Sequence, residues 1–238
     1  MGRSHGFFEH DDEKPKLREF QRTRFAPSKL RIVAGEMRGR KIEYNGDPAT
    51  RPMKDRTRES LFSLLGGDLS NTVAIDLFGG TGILAFESIS RGAERAIILE
   101  LSRATVTSIL QNIELLRISS QVDVHNVDTF RWLKGFEPYT QTLPQLPWII
   151  FCCPPYRLWT EQGERLADGL RRLFDAAPEE SVLVCETEST FDIRELLPDK
   201  KWDVRTYSPA HLALATKLAA DAIESSNAQV MGKPESKL

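Results

Sequence analysis

Short apolar runs alternate with amphipathic stretches along most of this chain. Buried strands are predicted where the runs are β-branched or continuously apolar, over residues 72–76, 95–100, 121–125, 148–152 and 181–186. Helices are predicted between them, over 82–91, 102–117, 128–134 and 161–174. This alternation is typical of an α/β protein with a mostly parallel sheet covered by helices on both faces. Two further runs, 202–207 and 211–216, lack a helix between them and predict a C-terminal antiparallel hairpin, which completes a seven-stranded sheet.

A different pattern precedes the first of these strands. Leu30–Ala34 and Arg38–Ile42 are short apolar stretches, and they predict two strands around a turn from which arginines project. From Asp55, the expected N-cap, apolar residues at helical spacing predict a helix that the glycines at 66–67 end.

The chain divides into four predicted segments. Residues 1–28 are polar and charged without periodicity, so we expect a flexible basic arm, and 219–238 is expected to be a disordered tail. Between them, we expect 29–67 to form a small basic extension and 68–218 to form the α/β domain.

Charge is distributed unevenly. The formal net charge is −2, but residues 14–58 contain fourteen Lys and Arg against five Asp and Glu, a charge of +9 that leaves −11 for the remainder. A basic segment on structured sequence beside a cofactor domain favours nucleic-acid contact over a merely solvated face. The residues expected to contact phosphates are Arg38, Arg40, Lys41, Arg56 and Arg58.

The remaining composition is that of a globular cytoplasmic protein. No stretch approaches the roughly 18 apolar residues of a membrane span, and the polar, acidic N-terminus lacks the core of a signal peptide. The three cysteines are Cys152, Cys153 and Cys185. They show neither a CxxC spacing nor a disulfide framework, so we expect free thiols. We expect a monomer that contacts no membrane. We also expect no metal site, because the histidines are scattered at His5, His10, His125 and His211.

A glycine-rich segment follows the first strand of the predicted sheet. Ligands in open α/β sheets bind outside the carboxyl ends of the strands, and glycines let the backbone approach them closely. Acidic residues also stand at the ends of the first three strands. The expected cofactor-binding residues are Asp76, Phe78, Gly79, Gly80, Thr81, Gly82, Glu100 and Asp128.

The glycine segment by itself fits two cofactors. Residues 80–85 match G-x-G-x-x-A, with Glu100 about 20 residues on, so an NAD-dependent oxidoreductase is an alternative. Asp76, just before the glycines, is poorly suited to face a pyrophosphate and well suited to the ammonium of S-adenosyl-L-methionine. Glu100 would accept hydrogen bonds from the ribose hydroxyls of either cofactor, and Asp128 would accept one from the adenine amino group. Asp76 therefore favours S-adenosyl-L-methionine.

The fourth strand runs into Cys153-Pro154-Pro155-Tyr156, the expected catalytic loop. The two prolines fix the backbone and remove two donors, which leaves carbonyl groups pointing out of the loop. Tyr156 offers a face on which a flipped base can stack. Such a turn opposite the glycine segment disfavours the oxidoreductase alternative.

Together these motifs resemble those of a known family. The pattern Asp76-x-Phe78-x-Gly80-x-Gly82, then Glu100, then Pro154-Pro155-Tyr156 resembles the class I amino-methyltransferases. Within that class, the chain is similar to one narrower family, the RsmD-type enzymes. The similar segments are residues 31–35, 38–41, 51–52 and 55–62, and the resemblance as a whole covers roughly residues 30–215. It implies a Rossmann-like class I methyltransferase fold and methylation of N2 of a guanine in small-subunit (16S) ribosomal RNA. The implied partner is ribosomal RNA or the small ribosomal subunit.

Cys153 departs from the family pattern, which has Asp or Asn at this position. The resemblance implies that this oxygen and the first proline-adjacent carbonyl accept hydrogen bonds from the target amino group, whereas a thiol is a weak acceptor. A non-catalytic or weakly active RNA-binding relative is therefore an alternative. A pyrimidine C5-methyltransferase with a nucleophilic cysteine is another, although there the cysteine follows a proline.

Overall fold

The computed structural model describes residues 28–47 and 50–218. The predicted arm, apart from Ser28, and the predicted tail at 219–238 lie outside the described residues. The strands are β1 (Ser28–Arg31), β2 (Lys41–Tyr44), β3 (Val73–Asp76), β4 (Arg95–Glu100), β5 (Val122–Asn126), β6 (Trp148–Cys152), β7 (Val182–Glu188), β8 (Trp202–Tyr207) and β9 (Ala210–Thr216). The helices are α1 (Asp55–Leu64), α2 (Ile83–Ser90), α3 (Arg103–Leu116), α4 (Thr129–Trp132), α5 (Glu137–Thr140), α6 (Arg157–Glu161), α7 (Gly163–Ala176) and α8 (Ile193–Leu196).

Seven strands form one central sheet in the order β5-β4-β3-β6-β7-β9-β8. The five strands from β3 to β7 are parallel, and β9 runs antiparallel to both β7 and β8. The predicted seven-stranded, mostly parallel sheet with a C-terminal hairpin is confirmed. Strand order reverses between β3 and β6, so the crevice at their carboxyl ends is the position where such sheets bind ligands.

Hydrophobic cores cover both faces of this sheet. All four residues of β3 are buried, as expected for a parallel strand with helices on each side. On one face, Phe62 of α1 and Phe86 of α2 pack in the same core as Phe151. On the other face, Trp132 and Leu170 belong to a second core beneath α4 and α7. The two cores hold the carboxyl ends of the strands in a fixed arrangement.

The predicted N-terminal hairpin exists as β1 and β2, but its strands begin and end at other residues. The ladder extends one pair beyond these strands, since Ile32 N donates to the Arg40 carbonyl (2.9 Å), and residues 33–37 then turn against α2. Glu36 N donates to the Ser90 carbonyl (2.7 Å) and Met37 N donates to Ser90 Oγ (2.9 Å). Gly35 allows this close approach: its φ is +79°, and a Cβ there would lie 1.8 Å from the Ser90 carbonyl oxygen.

Three further expectations about helices need correction. Lys54, not Asp55, holds the N-cap position of α1, and the Asp55 carboxylate instead accepts bonds from arginines. The helix predicted over 161–174 is α7, which begins at Gly163 and ends at Ala176, and a separate short helix, α6, precedes it. The short helices α5 and α8 lie in stretches where no helix was predicted. Within the described ranges, no helix is long and apolar enough to cross a membrane.

Candidate active site

A cleft of about 750 Å³ opens at the carboxyl ends of β3, β4, β6 and β7. It brings together most of the residues predicted from the glycine segment and all of those predicted from the proline loop. The predicted residues that line it are Asp76, Phe78, Gly79, Gly80, Thr81, Glu100, Asp128, Cys153, Pro154, Pro155 and Tyr156. Gly82 and the five predicted phosphate-binding residues do not line it.

The glycine segment turns tightly against β4. Gly79 N donates to the Leu99 carbonyl (2.8 Å), and a Cβ at Gly79 would lie 2.3 Å from Ile98 Cγ2. Gly82 has a φ of +76° at the N-terminus of α2, where a Cβ would lie 2.8 Å from the Phe86 ring. Gly82 therefore turns the chain into the helix rather than forming the wall of the cleft, in contrast to the prediction.

Glu100 holds the glycine segment in place. Its Oε2 accepts from Gly80 N (2.9 Å) and its Oε1 accepts from Ser102 N (2.7 Å), just before α3. A carboxylate has about four acceptor positions, so Glu100 keeps capacity for ligand hydroxyl groups. Asp128 is the N-cap of α4, and its Oδ1 accepts a hydrogen bond from Arg131 N (2.9 Å).

Asp76 combines burial with an unused oxygen. Its Oδ1 accepts a long bond from Phe78 N (3.3 Å), while Oδ2 is buried and has no hydrogen-bond partner in the described part of the chain. Burial raises the pKa of Asp76 to about 7. The hydrogen bond from Phe78 N lowers this pKa, and the negative charge of Glu100 raises it. Such a carboxylate in a cleft is suited to a cationic ligand group, which would stabilise its ionised form.

The proline loop presents one free carbonyl and one aromatic ring. The Pro155 carbonyl accepts from Leu158 N (2.8 Å) at the start of α6, whereas the Pro154 carbonyl accepts no hydrogen bond from the residues described. Tyr156 stands at the N-terminus of α6, and its hydroxyl donates to Glu186 Oε1 (3.3 Å). Only Pro154 thus keeps a free carbonyl at the cleft, whereas free carbonyls were expected of both prolines.

Cys153 is a protonated thiol in this environment. Burial raises its pKa well above the ordinary value for cysteine, and the negative charges of Glu186 and Asp76 raise it further. Nucleophilic cysteines instead have lowered pKa values and electropositive surroundings. The geometry therefore argues against the nucleophilic-cysteine alternative.

Glu186, on β7, is a cleft residue that the sequence analysis missed. Burial raises its pKa, while the Tyr156 hydrogen bond and the charge of Arg51 act in the opposite direction. A signal for it existed, because Glu186 ends the apolar run at 181–186, as Asp76 ends the run at 72–76. The rule that an acidic residue at a strand end faces the cleft therefore also predicts Glu186.

Basic residues at the cleft were also missed. Arg51, Lys54 and Arg157 line the cleft, and all three are exposed. Arg51 and Lys54 belong to the basic segment that the charge count identified, but they were not selected as candidates.

The predicted phosphate-binding residues divide into three groups. Arg38, Lys41 and Arg56 are exposed. Arg40 is exposed as well, but its guanidinium donates to the carbonyls of Leu115 (2.6 Å) and Leu116 (2.9 Å) at the end of α3, so it has a structural partner. Arg58 is completely buried.

The prediction that Arg58 contacts phosphates is therefore corrected. Its Nε donates to Glu87 Oε1 (3.0 Å), and its terminal nitrogens donate to the carbonyls of Met53 (3.0 Å) and Arg31 (2.6 Å). With its donors directed at Glu87 and at these carbonyls, Arg58 joins the N-terminal unit, residues 29–67, to α2. Within the described residues there is also no group of three or more His, Cys, Asp or Glu side chains that could hold a metal ion.

The sheet order, the glycine segment after β3 and the proline loop after β6 define a class I methyltransferase fold. The family model described as conserved hypothetical protein 95 matches residues 30–214. The chain belongs to this family, which is the RsmD type that its motifs resemble. Family membership argues against the NAD-dependent alternative.

Relatives with sequence similarity carry names that describe RNA methylation. The chain is 36% identical over 131 residues to the Ribosomal RNA small subunit methyltransferase D of Buchnera aphidicola, a match that covers 54% of this chain and 64% of the relative. The Escherichia coli K12 protein of the same name is 33% identical over 129 residues, which cover 54% of this chain and 61% of the relative. The chain thus spans under two thirds of the length of these relatives.

Solved structures share the fold over a larger part of the chain. A proposed methylase from Haemophilus influenzae superimposes with a TM-score of 0.60 and 26% identity, covering 81% of this chain and all of that one (100%). A hypothetical protein from Thermus thermophilus gives a TM-score of 0.61 at 20% identity, covering 79% of this chain and 99% of that one. The second likeness concerns the fold alone.

Proposed function

We propose that this protein uses S-adenosyl-L-methionine to methylate the exocyclic amino group, N2, of a guanine in small-subunit ribosomal RNA. The observation that carries the proposal is one cleft lined by both Asp76 with its glycine segment and the Pro154-Pro155-Tyr156 loop. A cofactor site and a loop suited to a flipped base therefore face the same space. Family membership and the names of the relatives support the substrate class.

The residues present fit the cofactor. The free Oδ2 of Asp76 suits the ammonium group, directly or through water, and the remaining acceptor positions of Glu100 suit the ribose diol. Asp128 would accept from the adenine amino group, while Phe78 and Phe130 supply apolar surface. Bound here, S-adenosyl-L-methionine would supply its methyl group: the S–CH₃ bond breaks with its electron pair left on sulfur, and an N–CH₃ bond forms.

The proline loop would orient the target base. Tyr156 offers a stacking face, and the free Pro154 carbonyl would accept a hydrogen bond from the amino group. This bond directs the nitrogen lone pair toward the methyl donor, and the proton of the methylated amine is lost to solvent. The protein then contributes mainly by positioning the reactants, which lowers the reaction barrier substantially when the reacting atoms are held in line.

The exposed basic residues would hold the RNA. Arg51 and Lys54 at the cleft and Arg38, Lys41 and Arg56 on the N-terminal unit can neutralise phosphates. We infer that the partner is ribosomal RNA or the small ribosomal subunit, and that the protein acts as a cytoplasmic monomer.

A second candidate is a non-catalytic or weakly active RNA-binding relative. The observation that favours it is Cys153, a protonated thiol where the family has a strong acceptor. The two candidates differ in whether methyl transfer occurs, since both predict RNA binding.

Mass spectrometry of ribosomal RNA nucleosides from cells with and without the gene tests the proposal. We expect N2-methylguanosine to be lost from one position of the small-subunit RNA in the deletion and restored by the wild-type gene. A gene carrying Asp76→Ala serves as the control and should not restore it. Identical nucleosides in all strains would favour the non-catalytic relative.

A further inference from the structure

Glu186 and Cys153 lie side by side at the carboxyl edge of the sheet. Cys152 of β6 pairs with Cys185 of the parallel strand β7, so the next residue along each chain is again a neighbour of the other. Side chains alternate between the faces of a strand. Cys152 and Cys185 are buried in the core beneath the sheet, whereas Cys153 and Glu186 both line the cleft. A carboxylate therefore adjoins the position where the family acceptor is missing.

This carboxylate is held in place and retains capacity to bind. The Tyr156 hydroxyl donates to its Oε1, and no other hydrogen bond to the Glu186 carboxylate comes from the residues the structure describes. A carboxylate has about four acceptor positions, so Oε2 and part of Oε1 are available to a ligand in the cleft. Burial raises the pKa of Glu186, while the Tyr156 hydrogen bond and the nearby charge of Arg51 favour its ionised form.

The chemistry of the bases determines what such a group selects. On its Watson–Crick edge, guanine presents two adjacent donors, N1–H and the N2 amino group, which match the two oxygens of one carboxylate. Adenine and cytosine place an unprotonated ring nitrogen beside their amino group, and a carboxylate repels that lone pair. Reading a flipped base on this edge is the usual mode for enzymes that modify bases.

We propose that the Glu186 carboxylate accepts hydrogen bonds from N1–H and N2–H of the target guanine, supplying the acceptor that Cys153 lacks and selecting guanine over other amino-bearing bases. This role rests on the proposed methyltransferase function. One N2 hydrogen would then bond to Glu186 and the other to the Pro154 carbonyl, which leaves the nitrogen lone pair directed at the methyl donor.

The test uses the full chain and two RNAs. One is a small-subunit RNA fragment that contains the guanine whose methylation depends on the gene, and the other carries 2-aminopurine at that position. 2-Aminopurine keeps the N2 amino group but has an acceptor at N1. Wild type should therefore prefer guanine by about 10-fold or more in kcat/KM, the effect of one hydrogen bond to a charged group.

Glu186→Gln should make the side chain complementary to 2-aminopurine instead of guanine. Its amide offers one acceptor for the N2 amino group and one donor for the unprotonated N1. We expect transfer to guanine to fall about 10- to 100-fold and the preference over 2-aminopurine to narrow or invert, with unchanged affinity for S-adenosylhomocysteine. Glu188→Gln makes the same chemical change two residues along β7 at an exposed position outside the cleft, and it should behave as wild type.

The outcomes separate the two proposals. If wild type methylates guanine but accepts 2-aminopurine equally well, or if Glu186→Gln keeps the wild-type preference, the assignment of Glu186 is wrong and the methyltransferase function stands. If wild type transfers no methyl group to the guanine RNA, the proposed function fails and this role fails with it. The comparison of the two RNAs on wild type does not depend on whether the variant folds.

Discussion

The guanidinium of Arg58 lies 3.0 Å from the carboxylate of Glu87, measured from Nε to Oε1, and both side chains are completely buried. The Glu87 Oε1 also accepts from Val33 N (2.6 Å), so this pair connects α1, α2 and the segment after β1. A buried ion pair is costly to desolvate, and its partners depend on each other. Its evident effect is to fix the N-terminal unit against the α/β domain.

Arg58→Ala should lower the free energy of unfolding by about 3–5 kcal/mol, because the buried Glu87 would lose its hydrogen-bonded ion-pair partner and keep only the more distant Arg91 (Nε to Oε2, 3.6 Å). Urea denaturation of the protein measures this change. Arg56→Ala is the matched control: Arg56 is exposed on the same helix, and its removal should change stability by no more than about 0.5 kcal/mol. Equal effects of the two variants would contradict the structural role of Arg58.

The contrast between Arg56 and Arg58 shows where prediction from the sequence ends. Apolar runs and helix spacing predict the strands and most helices, because burial on both faces of a parallel sheet leaves a strong pattern. Two arginines two positions apart on a helix point to opposite sides, yet nothing in the residue type says which side is buried. The cleft residues Asp76 and Glu100 were predictable, since strand ends gather at one edge. Glu186 was predictable as a cleft residue by the same rule, but its place beside Cys153 required the pairing of β6 with β7, which depends on strand order.

RNA affinity should depend steeply on salt, because exposed basic residues release counterions from phosphates when they bind. Replacing Arg38 and Lys41 by Ala should weaken binding and reduce the magnitude of the slope of log affinity against log salt by about one for each phosphate that is no longer neutralised. Filter binding to small-subunit RNA at several salt concentrations measures the slope. Arg40 is left intact because it holds the end of α3.

A charge-matched control replaces two exposed lysines outside the N-terminal unit, Lys134 and Lys201, by Ala. This variant should keep the wild-type slope if the N-terminal surface is the binding site. A slope that changes equally in both double variants would indicate a general effect of net charge. Affinity for S-adenosylhomocysteine should be the same in all three proteins.

Cofactor affinity should fall as pH falls below about 7. Burial raises the pKa of Asp76 to about 7, so below that pH the free protein holds a neutral carboxyl group that must lose its proton to pair with the ligand ammonium. By linkage, affinity for S-adenosylhomocysteine should weaken about tenfold per pH unit below about pH 7. Calorimetry between about pH 6 and about pH 8 tests this, and Asp76→Asn should bind weakly with little pH dependence. A pH-independent wild type would exclude Asp76 as the ammonium partner.

The same residue should reduce the stability of the ligand-free protein at high pH. Because its folded-state pKa is raised, the stability associated with neutral Asp76 is present at low pH and is lost as pH rises from the ordinary aspartate range to about 7. Asp76→Asn stays neutral, so at about pH 8 it should be more stable than wild type by about 2–4 kcal/mol, and this advantage should disappear toward about pH 4. Urea denaturation at both pH values measures it. A variant less stable than wild type at high pH would contradict the idea that burial of this charge carries a cost.

Cys153 offers the last prediction, which concerns the acceptor missing from the proline loop. Cys153→Asn should leave the rate of methyl transfer close to that of wild type, because Glu186 and the Pro154 carbonyl already accept both hydrogens of the target amine. A gain of about two- to twelvefold, the effect of one neutral hydrogen bond worth about 0.5–1.5 kcal/mol, would instead show that the amine lacks an acceptor in the wild type. Cys153→Asp should be slower than Cys153→Asn, since Glu186 and Asp76 already place negative charge around this position. Cys153→Ala should cost little, because a protonated thiol contributes little as an acceptor.

The assay counts methyl groups transferred to small subunits from a strain that lacks the gene, since RNA that is already methylated would hide the activity. If Cys153 were instead a nucleophile, Cys153→Ala alone would abolish turnover and a covalent RNA adduct would accumulate on the wild type. The raised pKa of this thiol opposes that result, because attack requires a thiolate. Activity that survives in the alanine variant, together with its loss in Glu186→Gln, would place amine recognition on the neighbouring strand rather than on the proline loop.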